Sequence, residues 1–354
     1  MTFEIGIGLQ GDKPPGAYAA LARDAEAHGI DVISVFADLM YQPPLAALLE
    51  IAAATTTVRV GPACLNPFTL HPVEIAGQTA VLDRASEGRA YVGLARGAWL
   101  DDVGILAERP LRALEEAAAA VATLLRRDPS GYDGDVFPIA AGTVLRYPTW
   151  RSCVPLLIGS WGRRGGELAG SVAEELKVGG SSNPEMVGIM RTHITAGAVS
   201  AGRDPDAVGI VLGAVTVVDE DGDAARSRAR TEVAMYLAVV GALDPTVAIP
   251  AELLEHVRSC VAAGDDDGAG REIPDDILDR FAFSGTPEHV AHLANAAFAA
   301  GASRVEFGTP HGLTDEMGVS IIGQRVLPLL DRAPDGSSPR KTRSGRARFL
   351  PSET

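Results

Sequence analysis

The strongest constraint on this chain is an alternation: short β-branched segments separated by amphipathic helices, repeated along nearly the whole sequence. Residues 3–9, 31–37, 57–63 and 89–95 read as strands, with helices at 18–29, 45–55 and 73–86 between them. After residue 150 the pattern resumes. Residues 154–159, 175–180, 208–218 and 304–308 read as strands, and 164–173, 184–201, 287–300 and 316–330 as helices. Strands that are apolar throughout and joined by helical crossovers require a parallel sheet covered on its faces. Eight such βα units favour a closed (β/α)8 TIM barrel, which needs roughly 250 residues, over an open doubly wound sheet.

Two stretches interrupt the repeat. Residues 128–150, rich in Gly, Pro and Tyr, read as an insertion after helix 4; residues 219–283 read as a helical insertion after strand 7. Insertions at the C-terminal face of a barrel usually shape its active site. Residues 1–333 therefore read as one barrel domain, and residues 334–354 as a disordered basic tail with little to bury.

Composition removes several function classes. With 46% hydrophobic residues the chain can fill a large core, and its net charge of −15 argues against nucleic acid or an anionic membrane as partner. Its three cysteines form no C-x-x-C pair, so neither a disulfide framework nor a zinc ribbon is expected. The N-terminus lacks the layout of a signal peptide, and no apolar run is long enough to span a bilayer. A cytoplasmic enzyme acting on a small molecule is the expectation. No metal site is expected, since Asp265-Asp266-Asp267-Gly268 lacks the spaced acids of a calcium loop. No G-x-S-x-G elbow of a serine hydrolase is present.

Gly6-Ile7-Gly8-Leu9-Gln10-Gly11 matches G-x-G-x-x-G, but a dinucleotide fingerprint needs those glycines between strand and helix. Here the first two lie inside the strand, where they admit close approach of a side chain or ligand within the barrel. Asp38 directly follows strand 2, where barrels carry catalytic groups, although a loop acid or helix cap fits the same place. Arg96 and Trp99 follow strand 4 and could face a planar anionic ligand, or could be surface groups. Gly159-Ser160-Trp161-Gly162-Arg163 leads from strand 5 into a helix, beside the small-residue loop Gly179-Gly180-Ser181 after strand 6. Glycines before a helix start expose N–H groups to an anion, so the pair reads as a phosphate cradle.

In their order and spacing, GPACLNPF (61–68), LDRASEGRAYVGLARGAW (82–99), IGSWG (158–162) and GTPEHVAHLANAAFAAGASRVEFGTPHG (285–312) resemble the luciferase-like monooxygenase superfamily. The resemblance covers residues 3–330 and is nearest to the coenzyme F420-dependent branch, which includes the methylenetetrahydromethanopterin reductases. It implies a deazaflavin ring at the C-terminal mouth, with Asp38 at the ring head. It implies a non-proline cis peptide near Ala63-Cys64 behind the ring, in the segment that also holds Asn66. The cofactor phosphate would lie against Gly159, Ser160, Trp161, Gly162 and Arg163 and against Gly179, Gly180 and Ser181.

One departure matters. Many relatives of this branch have His after the strand-2 acid, where this chain has Leu39. A proton for the substrate must then come from Asp38, Arg96, His311 or water. The resemblance implies hydride transfer between F420 and a C=C, C=N or carbonyl compound. An FMN-dependent monooxygenase and a non-catalytic cofactor-binding protein are the alternatives, and a homodimer is compatible with the resemblance.

Overall fold

The computed structural model describes residues 3–331. The expected tail at 334–354 lies outside the described residues. Eight strands form the barrel: β1 (Glu4–Leu9), β2 (Val32–Val35), β3 (Arg59–Pro62), β4 (Val92–Ala95), β5 (Leu156–Gly159), β6 (Glu175–Gly179), β7 (Gly209–Val218) and β9 (Arg304–His311). Their order is β3-β2-β1-β9-β7-β6-β5-β4, with every pairing parallel. The ring closes between β3 and β4 through bonds such as Tyr91 N–H to Val60 O (3.0 Å) and Leu65 N–H to Gly93 O (2.9 Å).

The crossovers on the first half are α1 (Ala17–Ala27), α2 (Pro44–Ala54), α3 (Pro72–Ala85) and α4 (Pro110–Arg126). On the second half, α5 (Arg163–Val172) and α6 (Glu185–Ser200) follow β5 and β6. Prolines at the first turn of α2, α3 and α4 start these helices without losing a hydrogen bond, because those N–H groups have no intrahelical acceptor.

The insertion after α4 carries almost no regular structure; one antiparallel bridge joins Tyr132 and Ile139. It is pinned by Glu116 of α4, whose buried carboxylate accepts the N–H groups of Asp135 (3.0 Å), Val136 (2.7 Å) and Phe137 (2.9 Å). Arg112 Nε donates to the same carboxylate at 2.6 Å. The insertion after β7 is helical, with α7 (Gly222–Val240), α8 (Ala251–Ala262), α9 (Asp266–Arg271) and α10 (Asp275–Phe281). These helices bury an apolar cluster of their own, including Val233, Leu237, Val257 and Leu278.

Two local expectations are corrected. The insertion read as purely helical ends in a strand, β8 (Ala282–Gly285), that pairs with the upper half of β7. It follows α10 with no intervening turn residue, so no punctuation marks the change. The last segment, read as one helix over 316–330, breaks up after α11 (Pro287–Ala299) and β9. There α12 (Asp315–Ile321) passes into a π turn at Ile322–Val326 and a 3-10 turn at Leu327–Leu329. Pro328 lacks the N–H that an α-helix would need there.

The barrel interior is charged. Glu4, Arg59, Glu175, Lys177, Arg304 and Glu306 form a connected chain of ion pairs through it. The strand glycines make room for these groups. A Cβ at Gly6 would lie 3.2 Å from Glu306 Cγ, and one at Gly8 would lie 2.5 Å from the Phe36 ring. The G-x-G of β1 is thus a packing device.

Candidate active site

The site forms at the C-terminal mouth. Asp38 stands just past β2. Its Oδ2 accepts from Gln10 Nε2 (3.0 Å), at the end of β1, and from the Tyr236 hydroxyl (3.4 Å), on α7. Its Oδ1 has no hydrogen-bond partner among the described residues. Burial pushes the Asp38 carboxyl above the ordinary carboxylate range, against those two bonds and the charge of Lys177. Below it, Lys177 ion-pairs with Glu306 and sits 5.0 Å from the centre of the Phe36 ring. Ser34 links that pair to Tyr91 through bonds of 2.6 Å to Glu306 Oε2 and 2.7 Å to the Tyr91 hydroxyl.

The Ala63-Cys64 peptide is cis, as the resemblance implies. Cys64 faces β4 and β5, and its Sγ would lie 3.3 Å from a Cβ at Gly93 and 3.1 Å from one at Gly159. Burial pushes the Cys64 thiol up to about 12, which keeps it neutral and unsuited to nucleophilic chemistry. Asn66 is buried, and its Oδ1 accepts from Phe68 N–H, Thr69 N–H and Thr69 Oγ1. Its visible work is to fold the loop after β3.

At the head of α5, Gly162 is exposed and extended, with no atom within 4 Å of the position its Cβ would take. The Gly166 N–H is the first to find an intrahelical acceptor, Gly162 O (2.9 Å), so those of the exposed Arg163 and Arg164 remain open to an anion, while Gly165 is buried against Ser160. The loop after β6 differs. Gly180 and Ser181 both give their N–H to Gly213 O, at 2.6 and 3.1 Å. Gly179 O accepts from Trp161 Nε1 (2.9 Å), which ties the two loops together. The second loop is thus a wall, and the open donors belong to α5. The side chain of Arg163 reaches only Glu167, at 3.7 Å, and is otherwise in solvent.

His311 ends β9 after a cis Thr309-Pro310 bond and has a φ of 69°, unusual for a bulky residue. It is fully buried; Nδ1 lies 3.3 Å from Asp315 Oδ1, and Nε2 has no partner among the described residues. Arg96 is exposed, without a side-chain partner among the described residues. The geometry therefore groups Asp38 with Gln10 and Tyr236, and Cys64 with Gly159. Neither Arg96 nor His311 makes a hydrogen bond or ion pair to that group among the described residues; His311 meets Asp315 instead. Gln10, Tyr236 and the Lys177–Glu306 pair were not anticipated. Charged residues two apart in β6 (Glu175, Lys177) and β9 (Arg304, Glu306) carried the signal for the last of these.

The family model described as luciferase-like monooxygenase matches residues 1–304. The chain belongs to that family. Among curated family members, the 5,10-methylenetetrahydromethanopterin reductase of Archaeoglobus fulgidus is 28% identical over 323 residues, 88% of this chain and 94% of the relative. The enzyme of the same name from Methanopyrus kandleri is 27% identical, covering 92% of this chain and 97% of the relative. The solved coenzyme F420-dependent tetrahydromethanopterin reductase from Methanopyrus kandleri superposes with a TM-score of 0.82 at 25% identity, covering 93% of this chain and 99% of that one. The fold is shared with the FMN complex of 3,6-diketocamphane monooxygenase from Pseudomonas putida, with a TM-score of 0.66 at 16% identity, covering 93% of this chain and 98% of that one.

Proposed function

We propose that this chain is an oxidoreductase that transfers a hydride between coenzyme F420 and a small organic molecule. The reading rests above all on Asp38: a carboxyl anchored through one oxygen, free at the other, and biased by burial toward its protonated form. The cradle fits a phosphorylated cofactor, because the exposed start of α5 carries N–H groups without an intrahelical acceptor and the space beside Gly162 is open.

When bound, the deazaflavin supplies the two-electron hydride chemistry. The protein's residues do the rest. The amides of Arg163 and Arg164 would hold the phosphate, and Trp161, fixed to Gly179, would wall the approach. Ala63 and Cys64 present small groups that let backbone approach a planar ring. Gln10 and Tyr236 orient Asp38 by its Oδ2, which leaves Oδ1 to give a proton to, or take one from, the substrate. Leu39 leaves no imidazole to compete for that role. Among the described residues no helix is long and apolar enough to cross a membrane. The reading includes a cytoplasmic location and a small-molecule substrate, with a homodimer as the assembly to test by sedimentation.

Titrating the purified protein with F420 and with FMN, each followed by its visible absorbance, tests the assignment. The expected result is saturable F420 binding at least tenfold tighter than FMN, with substrate-dependent bleaching that needs no oxygen. Preferential FMN binding with oxygen-dependent turnover would replace this reading by the flavin monooxygenase one. F420 binding without turnover on any carbonyl, imine or enone tried would leave a cofactor-binding protein.

A further inference from the structure

Beside Asp38 lies a cavity of about 330 Å³, in the size range of small-molecule sites. Gln10 and Tyr236, the two residues that hold Asp38, also line it, so the cavity reaches the side chains that touch the carboxyl, while Asp38 itself is not part of its wall. Its walls come from four places: the end of β1 and the loop after it, Tyr41 in the loop after β2, one face of α7, and the segment from the end of β9 to the start of α12. Arg228, Glu232, Met235 and Tyr236 stand at helical spacings of four, seven and eight, which places them on that one face of α7.

The lining carries four carboxylates, Asp12, Glu232, Asp315 and Glu316, against one guanidinium, Arg228. Two cations consume part of this charge through three ion pairs. Arg228 binds Glu232 at 2.5 Å, and the neighbouring Lys13 bridges Asp12 (3.0 Å) and Asp315 (2.6 Å). Even with both cations counted, acids exceed bases by two. Burial raises the Glu232 carboxyl, and the nearby charges of Asp266, Asp315 and Asp12 raise it further despite Arg228, which reports the same uncompensated field. Met235, Pro310 and Leu313 supply apolar surface between the charges.

We propose that this cavity is the substrate subsite and that it selects a small molecule bearing a cationic nitrogen, held between Asp12, Glu232 and Glu316 with its reacting carbon toward Asp38. The proposal rests on the functional reading above in taking Asp38 as the reaction centre. An anionic substrate would meet a field of its own sign, and a neutral one would gain none of the charge attraction that the excess of two acids offers a cation. The apolar patches suit a carbon skeleton beside the charge.

The test uses three probes of one shape: benzylammonium, benzyl alcohol and benzoate, titrated calorimetrically into the full-length protein. Benzylammonium is expected to bind at least tenfold tighter than benzyl alcohol, with the margin shrinking as salt rises, and benzoate weakest. Glu232→Gln and Asp12→Asn, both at partly exposed positions, should each reduce that margin. Glu232→Gln also frees Arg228, so it should improve benzoate binding. Equal affinity for the cation and the alcohol, no saturable binding of the cation, or a margin untouched by both variants would overturn the proposal. F420 titration of the same samples separates the two readings. Intact F420 binding without cation preference fails the subsite alone; absent F420 binding with the preference and its loss in the variants fails the cofactor assignment and leaves a cation site.

Discussion

Replacing Lys177 by Met tests whether the charged barrel interior is held together by its charge balance. The chain of pairs runs Lys177, Glu306, Arg304, Glu175, Arg59, Glu4: three cations and three anions, with Arg304 3.5 Å from Glu175 and 4.0 Å from Glu306. Lys177 and Glu306 have side chains 6% and 1% exposed, so water cannot replace a lost partner. Breaking such a pair by removing one member typically costs about 3–5 kcal/mol. Glu306 keeps Arg304 at 4.0 Å, a separation worth up to about 4 kcal/mol at an effective dielectric near 20, and the Ser34 bond at 2.6 Å. The lower end, about 3 kcal/mol, is therefore expected. In a chain of this size that corresponds to a fall in Tm of roughly 4 °C. The second half of the test is sharper. Lys177→Met/Glu306→Gln restores neutrality, leaving two arginines against two glutamates, and should recover more than half of the loss. Thermal and urea unfolding of wild type, both single variants and the double variant give the cycle. A double variant no more stable than Lys177→Met would refute charge balance as the organising principle. A loss below about 1 kcal/mol in the single variant would show that solvent reaches the pair.

Gly162→Asp should weaken F420 binding at least tenfold, about 1.4 kcal/mol, because its carboxylate would occupy the open side of the α5 cradle; unchanged affinity in a folded variant moves the phosphate elsewhere. Asp38→Asn should leave F420 affinity within about threefold and lower turnover at least a hundredfold, as expected for loss of a positioned acid; equal rates would make Asp38 a loop acid. Burial opposes ionisation of Glu116, yet the bonds from Phe137, Val136 and Asp135 and from Arg112 hold it down to about 2. A depressed carboxylate adds stability that is present above its unfolded value near 4.5 and lost as pH falls toward 2. Glu116→Gln should therefore flatten acid destabilisation in that window and speed proteolysis within residues 128–150; an unchanged acid profile would contradict the pinning role.

The fold was legible because its signal is repeated. Most barrel strands carry a short apolar run of their own, and the crossovers between them read as helices, so an error in one unit leaves the rest intact. β8 escaped because it belongs to no unit: it pairs only with the upper part of β7 and follows α10 without Gly or Pro. The end of the chain's last helix escaped for a different reason. Its apolar spacing is helical, but Gly323 packs where a Cβ would meet the His28 ring at 2.2 Å, a tertiary contact that periodicity does not report.

The site divides along the same line. Residues fixed by strand register could be placed from sequence, since a group just past a barrel strand must stand at the mouth. Asp38 and the 159–162 loop are of this kind, and the structure puts both there. Tyr236 is not: it lies on a helix of the insertion, eighteen residues beyond the end of β7, and its bond to Asp38 depends on how α7 crosses the mouth. Helical periodicity gives the buried face of α7 as Ala225, Ala229, Val233 and Leu237, and by that count Tyr236 sits at the edge of the stripe, like an ordinary boundary residue. The same holds for Arg228 and Glu232, which read as a solvated i, i+4 pair until the β9–α12 loop closes a cavity over them. The proposed subsite draws on both kinds of place, Asp12 just past β1 and Glu232 on α7 of the insertion; Asp12→Asn and Glu232→Gln should each alter substrate choice while leaving F420 affinity unchanged.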